Sequence, residues 1–253
     1  MTRALRERLA EKGVARRDGF RWRGGEISRI EGFSDAVFAF AVTLLVVSLE
    51  VPRTFHELTE TMRGFLAFAI CFTLLIVAWR EHYVFFRRYG LQDNMTIWIN
   101  AAFLFVVVFY VYPLKFVFTL ALAPLTGYPP SVPRPGGGEE RMIEPEQVST
   151  LFLIYGAGII ALYVFMALLY VHAYRRRRDL NLTPLEIFDT KTSILTHLLA
   201  AGIGVFSCVL ALALPARMAG LAGFAYFLFG PVLAIHGMLA GRRRKRLEAA
   251  RSA

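Results

Sequence analysis

The sequence predicts an all-α integral membrane protein with six transmembrane helices per subunit. Of its 253 residues, 56% are hydrophobic, and the mean hydropathy is +0.49. Six apolar runs approach the length of about 20 residues that a helix needs to cross a bilayer. They form one membrane domain, 30–240, between two basic tails, 1–29 and 241–253. The predicted spans are 30–52, 64–82, 97–122, 149–172, 193–214 and 218–240.

The distribution of Lys and Arg predicts that both termini are cytoplasmic. Cytoplasmic loops carry an excess of basic residues, and with both termini inside, all but six of the 29 Lys and Arg residues lie on that side. The first 29 residues lack an apolar core, so they are not expected to be a cleavable signal peptide. The expected location is the plasma membrane.

The net charge of +10 follows from this topology and does not indicate nucleic-acid binding. The basic cytoplasmic segments are expected to attract anionic lipid headgroups.

The elements follow in order along the chain. The link 53–63 is short, so spans one and two should be antiparallel neighbours, and span two should continue as a helix to Gly90. Pro113 should kink span three or end its straight part. The segment 124–147, with six prolines and three consecutive glycines, is expected to be a flexible outer loop between a front and a back half. The two halves do not resemble each other, which disfavours an inverted-repeat transporter.

Several kinds of chemistry are not expected. Cys71 and Cys208 both lie within predicted spans, where each is interpreted as a small apolar residue, so no disulfide or metal site is predicted. No His, Cys, Asp and Glu cluster has metal-ligand spacing, and no nucleophile–base pair stands out. The sequence therefore predicts a protein that is not an enzyme and needs no cofactor.

Three successive spans place their polar side chains at one level, the cytoplasmic end. Asp35 lies in the first turns of span one, where an ionisable group needs a partner. Trp79 and His82 end span two and Asn100 begins span three, so Asp35 is expected to accept a hydrogen bond from one of these three side chains. Two interpretations stay open: the network only fixes helix packing, or it also takes part in gating or permeation.

The beginning of span one resembles the prokaryotic TMEM175 family. The pattern Arg-x-x-x-Phe-Ser-Asp opens the span, a run from Ala36 to Val46 follows, and a Trp and a His end span two. The resemblance covers the six-helix plan of nearly the whole chain, and its specific part lies in about the first 100 residues. The residues that carry it, and that form the expected cytoplasmic network with Asn100, are Arg29, Phe33, Ser34, Asp35, Trp79 and His82. Arg29 is expected to meet a neighbouring helix or subunit rather than Asp35.

This resemblance implies a leak-type potassium channel that prefers potassium over sodium and is a homotetramer. In the family, the first helix of each subunit lines a central pore, and bulky aliphatic residues replace a carbonyl filter. Counted from the Asp, the main constriction falls on Phe40, with further rings at Leu44 and Val47 and a polar ring at Thr43. Phe40 departs from the usual Ile or Leu; its four rings would close the pore more tightly, gate by rotation or contact a cation.

The residues by themselves leave two other functions open. In a proton-coupled transporter, Asp35 and His82 would form a relay, although no ionisable group continues the path deeper. In a non-conducting membrane scaffold, the polar cluster would serve packing alone.

Overall fold

The computed structural model describes residues 20–47, 52–127, 131–133 and 138–252. Within them, six helical segments are long and apolar enough to cross a membrane, which confirms the predicted class. Most of the predicted N-terminal tail, residues 1–19, and the predicted end of span one, 48–51, lie outside the described residues.

Four spans are single α-helices, and two begin with a 3₁₀ segment: the fourth opens with the short turn Pro145–Gln147. The sixth starts as a 3₁₀ segment, Ala216–Leu228, and continues in an α-helix. The α-helices are α1 (Arg29–Val47), α2 (Phe55–Arg63), α3 (Phe65–Tyr89), α4 (Asn94–Thr126), α5 (Val148–Arg175), α6 (Pro184–Ala213) and α7 (Phe229–Ser252). Two short strands, β1 (Ser131–Pro133) and β2 (Glu139–Arg141), pair antiparallel between α4 and α5.

Reciprocal capping, in which the side chains of two residues each accept from the other's backbone N–H, begins α1 and α6. At α1 the Ser28 N–H donates to the Glu31 carboxylate (2.9 Å), and the Glu31 N–H donates to Ser28 Oγ (3.2 Å). Thr183 and Glu186 form the same arrangement at α6. Because each box pairs backbone donors that a helix start leaves unsatisfied, both starts are defined by the local sequence.

Helix α4 is longer than the predicted span three and contains both Pro113 and Pro124. The helix does not end at Pro113; within a membrane, contacts with neighbouring helices offset the missing backbone hydrogen bond. The predicted outer loop therefore starts at Gly127 rather than at residue 124, and its described part includes the β1–β2 hairpin.

The 3₁₀ segment packs through small side chains. Ala219, Ala222 and Ala225 are all buried and are three residues apart, which matches a helix of three residues per turn. The Ser207 hydroxyl on α6 donates to the Ala222 carbonyl (2.9 Å). This face fixes the start of the sixth span against α6.

The helices form two connected groups. Helix α1 packs against α3 and α4, α5 packs along α6, and α4 contacts α5. Antiparallel connections bring the start of α1, the end of α3, the start of α4, the end of α5 and the start of α6 to one end of the bundle. We call this the basic end because it carries Arg87, Arg88 and Arg175–Arg178.

Candidate functional site

A chain of buried polar side chains joins α1, α3 and α4 near the basic end. His82 Nε2 lies 2.8 Å from Asn100 Oδ1, Asn100 Nδ2 donates to Ser34 Oγ (2.9 Å), and the Ser34 hydroxyl donates to the Ile30 carbonyl (2.8 Å). Since the Asn100 amide nitrogen is used on Ser34, its oxygen is the acceptor and His82 Nε2 donates. His82 and Asn100 are each 2% exposed and Ser34 is fully buried, so a broken bond would leave a polar group buried without a partner.

Aromatic rings surround the imidazole of His82. The ring centroids of Phe38, Phe86 and Phe103 lie 5.7, 4.7 and 5.7 Å from that of His82, and Phe103 is nearly parallel to it at 10°. These rings come from the same three helices as the polar chain. They separate the imidazole from solvent and set its orientation.

Asp35 lies in a second hydrogen-bonded group. Of its three expected partners, Trp79 bonds it: Trp79 Nε1 donates to Asp35 Oδ1 at 2.8 Å. Trp79 stacks on Tyr83, with ring centroids 5.6 Å apart. In the part of the chain that the structure describes, no hydrogen bond joins Asp35 to His82 or Asn100. The polar side chains that were expected to form one network therefore form two separate hydrogen-bonded groups. Arg29 is exposed at the first residue of α1.

Helix α1 has one packed side and one uncovered side. Phe33, Phe40 and Val47 are 62%, 55% and 70% exposed, and they lie seven residues apart, which is about two helical turns. Their side chains therefore share one stripe along the helix. The buried side chains, on the opposite side, are Ser34, Phe38, Ala41 and Leu45.

Thr43 and Leu44 flank this stripe. Thr43 is exposed, and its hydroxyl donates to the Ala39 carbonyl of its own helix (3.0 Å), which leaves the oxygen lone pairs available to an outside group. Leu44 is half-buried and packs against the hydrophobic core. Of the four expected pore residues, Phe40, Thr43 and Val47 lie on the uncovered side, and Leu44 lies at its edge.

A hydrogen-bonded His–Asp pair that the sequence does not reveal joins the front and back halves. His172 Nε2, on α5, lies 3.0 and 2.9 Å from the two carboxylate oxygens of Asp93, the N-cap of α4. Partial burial raises the pKa of Asp93, but hydrogen bonds from His172 and from the Thr96 N–H outweigh it, and the pKa lies below its ordinary value. The two residues are 79 positions apart, and no local pattern pairs them.

The described residues contain no group of three or more His, Cys, Asp or Glu side chains placed to hold a metal ion. Cys71 and Cys208 are both free thiols.

Sequence comparisons place these features in a known family. The family model described as endosomal/lysosomal potassium channel TMEM175 matches residues 29–110. A potassium channel of Marivirga tractuosa is 39% identical over 243 residues, which is 95% of this chain and 98% of that protein. A potassium channel of Chamaesiphon minutus is 35% identical over 98 residues, 35% of this chain and 47% of that protein.

A solved structure of a potassium channel is also similar to this chain. A variant of the potassium channel MtTMEM175, crystallised with a nanobody–MBP fusion protein, superposes with a TM-score of 0.76 at 38% identity, over 90% of this chain and all of that chain. The segment 29–110 contains α1, α3 and the first half of α4, and with them the buried polar chain and the uncovered side of α1. The chain therefore belongs to the TMEM175 family.

Proposed function

We propose that this chain is one subunit of a potassium-permeable channel, in which four copies surround a pore lined by α1. The observation that carries the proposal is the stripe of Phe33, Phe40 and Val47, uncovered on a helix whose opposite side is packed. A similarity to a potassium channel of Marivirga tractuosa over 95% of the chain supports it. The family consists of channels, so the chain is not an enzyme.

Four Phe40 rings would form the main constriction, with Val47 and Leu44 in the neighbouring rings. A narrow apolar ring excludes water, so an ion must shed part of its hydration shell to pass. Potassium is more weakly hydrated than sodium and loses water at lower cost, which favours potassium without carbonyl ligands. The faces of the Phe40 rings attract a partly dehydrated cation, and the Thr43 lone pairs offer it an oxygen.

The buried polar chain would hold this constriction at a fixed width. His82, Asn100 and Ser34 tie α1 to α3 and α4 at the basic end. A helix pinned at one end keeps its tilt, and the tilt sets the distance between opposite Phe40 rings. The Asp35–Trp79 bond adds a second contact between α1 and α3.

The proposal includes orientation and surroundings. The protein lies in the plasma membrane, with its basic end and both termini on the cytoplasmic side. The excess of basic residues at that end favours this orientation. The segments 175–178 and 242–246 lie where anionic lipid headgroups would meet them.

The test is ion flux from liposomes that contain the purified protein. Wild type should pass potassium faster than sodium, and Phe40→Asn should lower the ratio of the two fluxes because a polar ring no longer excludes water. Phe206→Asn is the matched control: Phe206 is 46% exposed but lies on α6, so the ratio should not change. The particle mass should correspond to four copies of the 28.5 kDa chain.

Two results would contradict the proposal. Intact tetramers that pass neither ion would favour a scaffold. Saturable flux that depends on a proton gradient would favour a transporter.

A further inference from the structure

The residues just before α1 are packed onto the basic end. We call residues 20–25 the anchor segment. Phe20 is fully buried; its ring meets the Tyr89 ring edge-on at 5.5 Å, and the Arg88 guanidinium lies 4.8 Å from its centroid. The anchor segment, which the sequence assigned to the N-terminal tail, is therefore part of the folded domain.

A bidentate Arg–Glu ion pair holds the anchor segment to the start of α6. Arg23 Nη1 and Nη2 donate to Glu186 Oε1 and Oε2 at 3.0 and 2.7 Å, and the two side chains are 14% and 2% exposed. Arg23 Nε also donates to the Leu180 carbonyl (2.9 Å), and the Arg21 N–H donates to Glu186 (2.9 Å). Paired Arg–carboxylate bonds are among the strongest and most directional in proteins, and a buried pair is costly to break from one side.

Backbone contacts hold the anchor segment to the end of α3. The N–H groups of Arg23 and Gly24 both donate to the Arg87 carbonyl, at 3.0 and 3.1 Å, and Arg87 Nη1 donates to the Gly25 carbonyl (2.9 Å). A Cβ on Gly24 would lie 2.9 Å from a carbonyl oxygen of α3, and one on Gly90 would lie 3.1 Å from the Arg23 backbone. The two glycines let the backbones approach this closely.

The anchor segment is tied closely to the proposed pore helix. Only Glu26 and Ile27 separate Gly25 from Ser28, the residue whose side chain caps α1. Three residues span at most about 11 Å when fully extended. This short link couples the position of the first turn of α1 to that of the anchor segment.

From these contacts we infer that Arg23 and Glu186 are positioning residues for α1. They fasten its first turn to the end of α3 and the start of α6. Both residues lie outside the segment 29–110 that the family model matches. The consequence for conduction rests on the proposed function: if α1 lines the pore, this ion pair sets the tilt of the helix and the width of the Phe40 ring.

The first test measures the position of α1 without reference to ion flux. Hydrogen–deuterium exchange is followed at the first turns of α1 in purified oligomers of wild type, Arg23→Gln, Glu186→Gln and the double variant. Each should exchange about tenfold faster there than wild type, because local opening then costs less. The double variant should exchange no faster than the single ones, since it leaves neither charge buried without its partner.

Two further variants control for stability. Arg244→Gln breaks an ion pair of similar exposure, Arg244–Asp189 (3.0 Å, 21% and 15% exposed), which joins α7 to α6, and it should leave exchange at α1 unchanged. Arg23→Lys keeps the charge and should restore part of the protection. It also serves if Arg23→Gln does not fold.

The second test is the ratio of potassium to sodium flux per tetramer. The ratio should fall toward equality in Arg23→Gln and Glu186→Gln and stay at the wild-type value in Arg244→Gln. If wild type conducts, and if both the exchange at α1 and the flux ratio are unchanged in Arg23→Gln and Glu186→Gln, the positioning role is refuted and the proposed function stands. A non-conducting wild type with faster exchange in the variants would overturn the proposed function and leave the positioning role of Arg23 and Glu186 intact.

Discussion

Replacing Asn100 with leucine removes the central member of the buried polar chain. Asn100 accepts from His82 and donates to Ser34, and leucine fills a similar volume without polar atoms. The change therefore isolates two buried hydrogen bonds with little change in packing. It leaves the His82 N–H without an acceptor inside its cage of phenyl rings.

The expected loss of stability is about 1 to 3 kcal/mol. Leaving a buried donor unpaired costs about 1–3 kcal/mol in soluble proteins. Hydrogen bonds between membrane helices average only about 0.6 kcal/mol each, so two lost bonds set the lower limit near 1 kcal/mol. Trp79→Phe, which removes one bond to the exposed Asp35, should cost no more than about 0.6 kcal/mol.

The assay is reversible unfolding in mixed micelles, with the free energy of unfolding taken from a titration with denaturing detergent. Asn100→Leu combined with His82→Phe should recover at least half of the loss, because no donor remains buried without a partner. An Asn100→Leu variant that is no less stable than Trp79→Phe would refute the reasoning, and so would a double variant whose losses simply add.

Two further predictions concern the basic end. Gly90→Ala should destabilise the protein by about 1–2 kcal/mol, because Gly90 has φ +59° and a side chain is strained there. Gly25→Ala, with open space at its Cβ position, should have little effect, and equal losses in thermal unfolding would contradict this account. The Asp93–His172 pair lowers the pKa of Asp93 below 3.8, so its contribution should be complete above that pH and lost as the pH falls through the lower folded-state value. His172→Gln should weaken this dependence in unfolding titrations between about pH 5 and 2, and an unchanged dependence would refute the pairing.

Hydropathy and charge predicted the fold class because both depend on composition along the chain. The six runs were long enough to span, and all six appear as helical segments. The end of span three was placed too early: α4 continues through Pro124 to Thr126, since neighbouring helices supply the interactions that make a membrane helix tolerate proline. The 3₁₀ start of the sixth span, with its buried alanines at a spacing of three, was not predicted either.

For the polar cluster, the sequence predicted depth but not pairing. The polar side chains of three helices do lie near one end, yet Asp35 is bonded to Trp79 while His82 is bonded to Asn100. Sequence position determines how far along the membrane normal a residue lies. Which residues meet also depends on how each helix is rotated about its axis, and apolar residues on every side of α1 leave that rotation undefined.

The contacts at the basic end also divide into those that the local sequence predicts and those that only tertiary packing creates. The Ser28–Glu31 and Thr183–Glu186 capping boxes are readable locally, because their partners are three residues apart. The Arg23–Glu186 pair joins residues 163 positions apart and exists only because the end of α3 and the start of α6 lie beside each other. The sequence alone thus determined the class, the number of spans and the depth of each polar group, whereas tertiary packing decided the partners of those groups and the uncovered side of α1, because both depend on helix rotation and long-range contact.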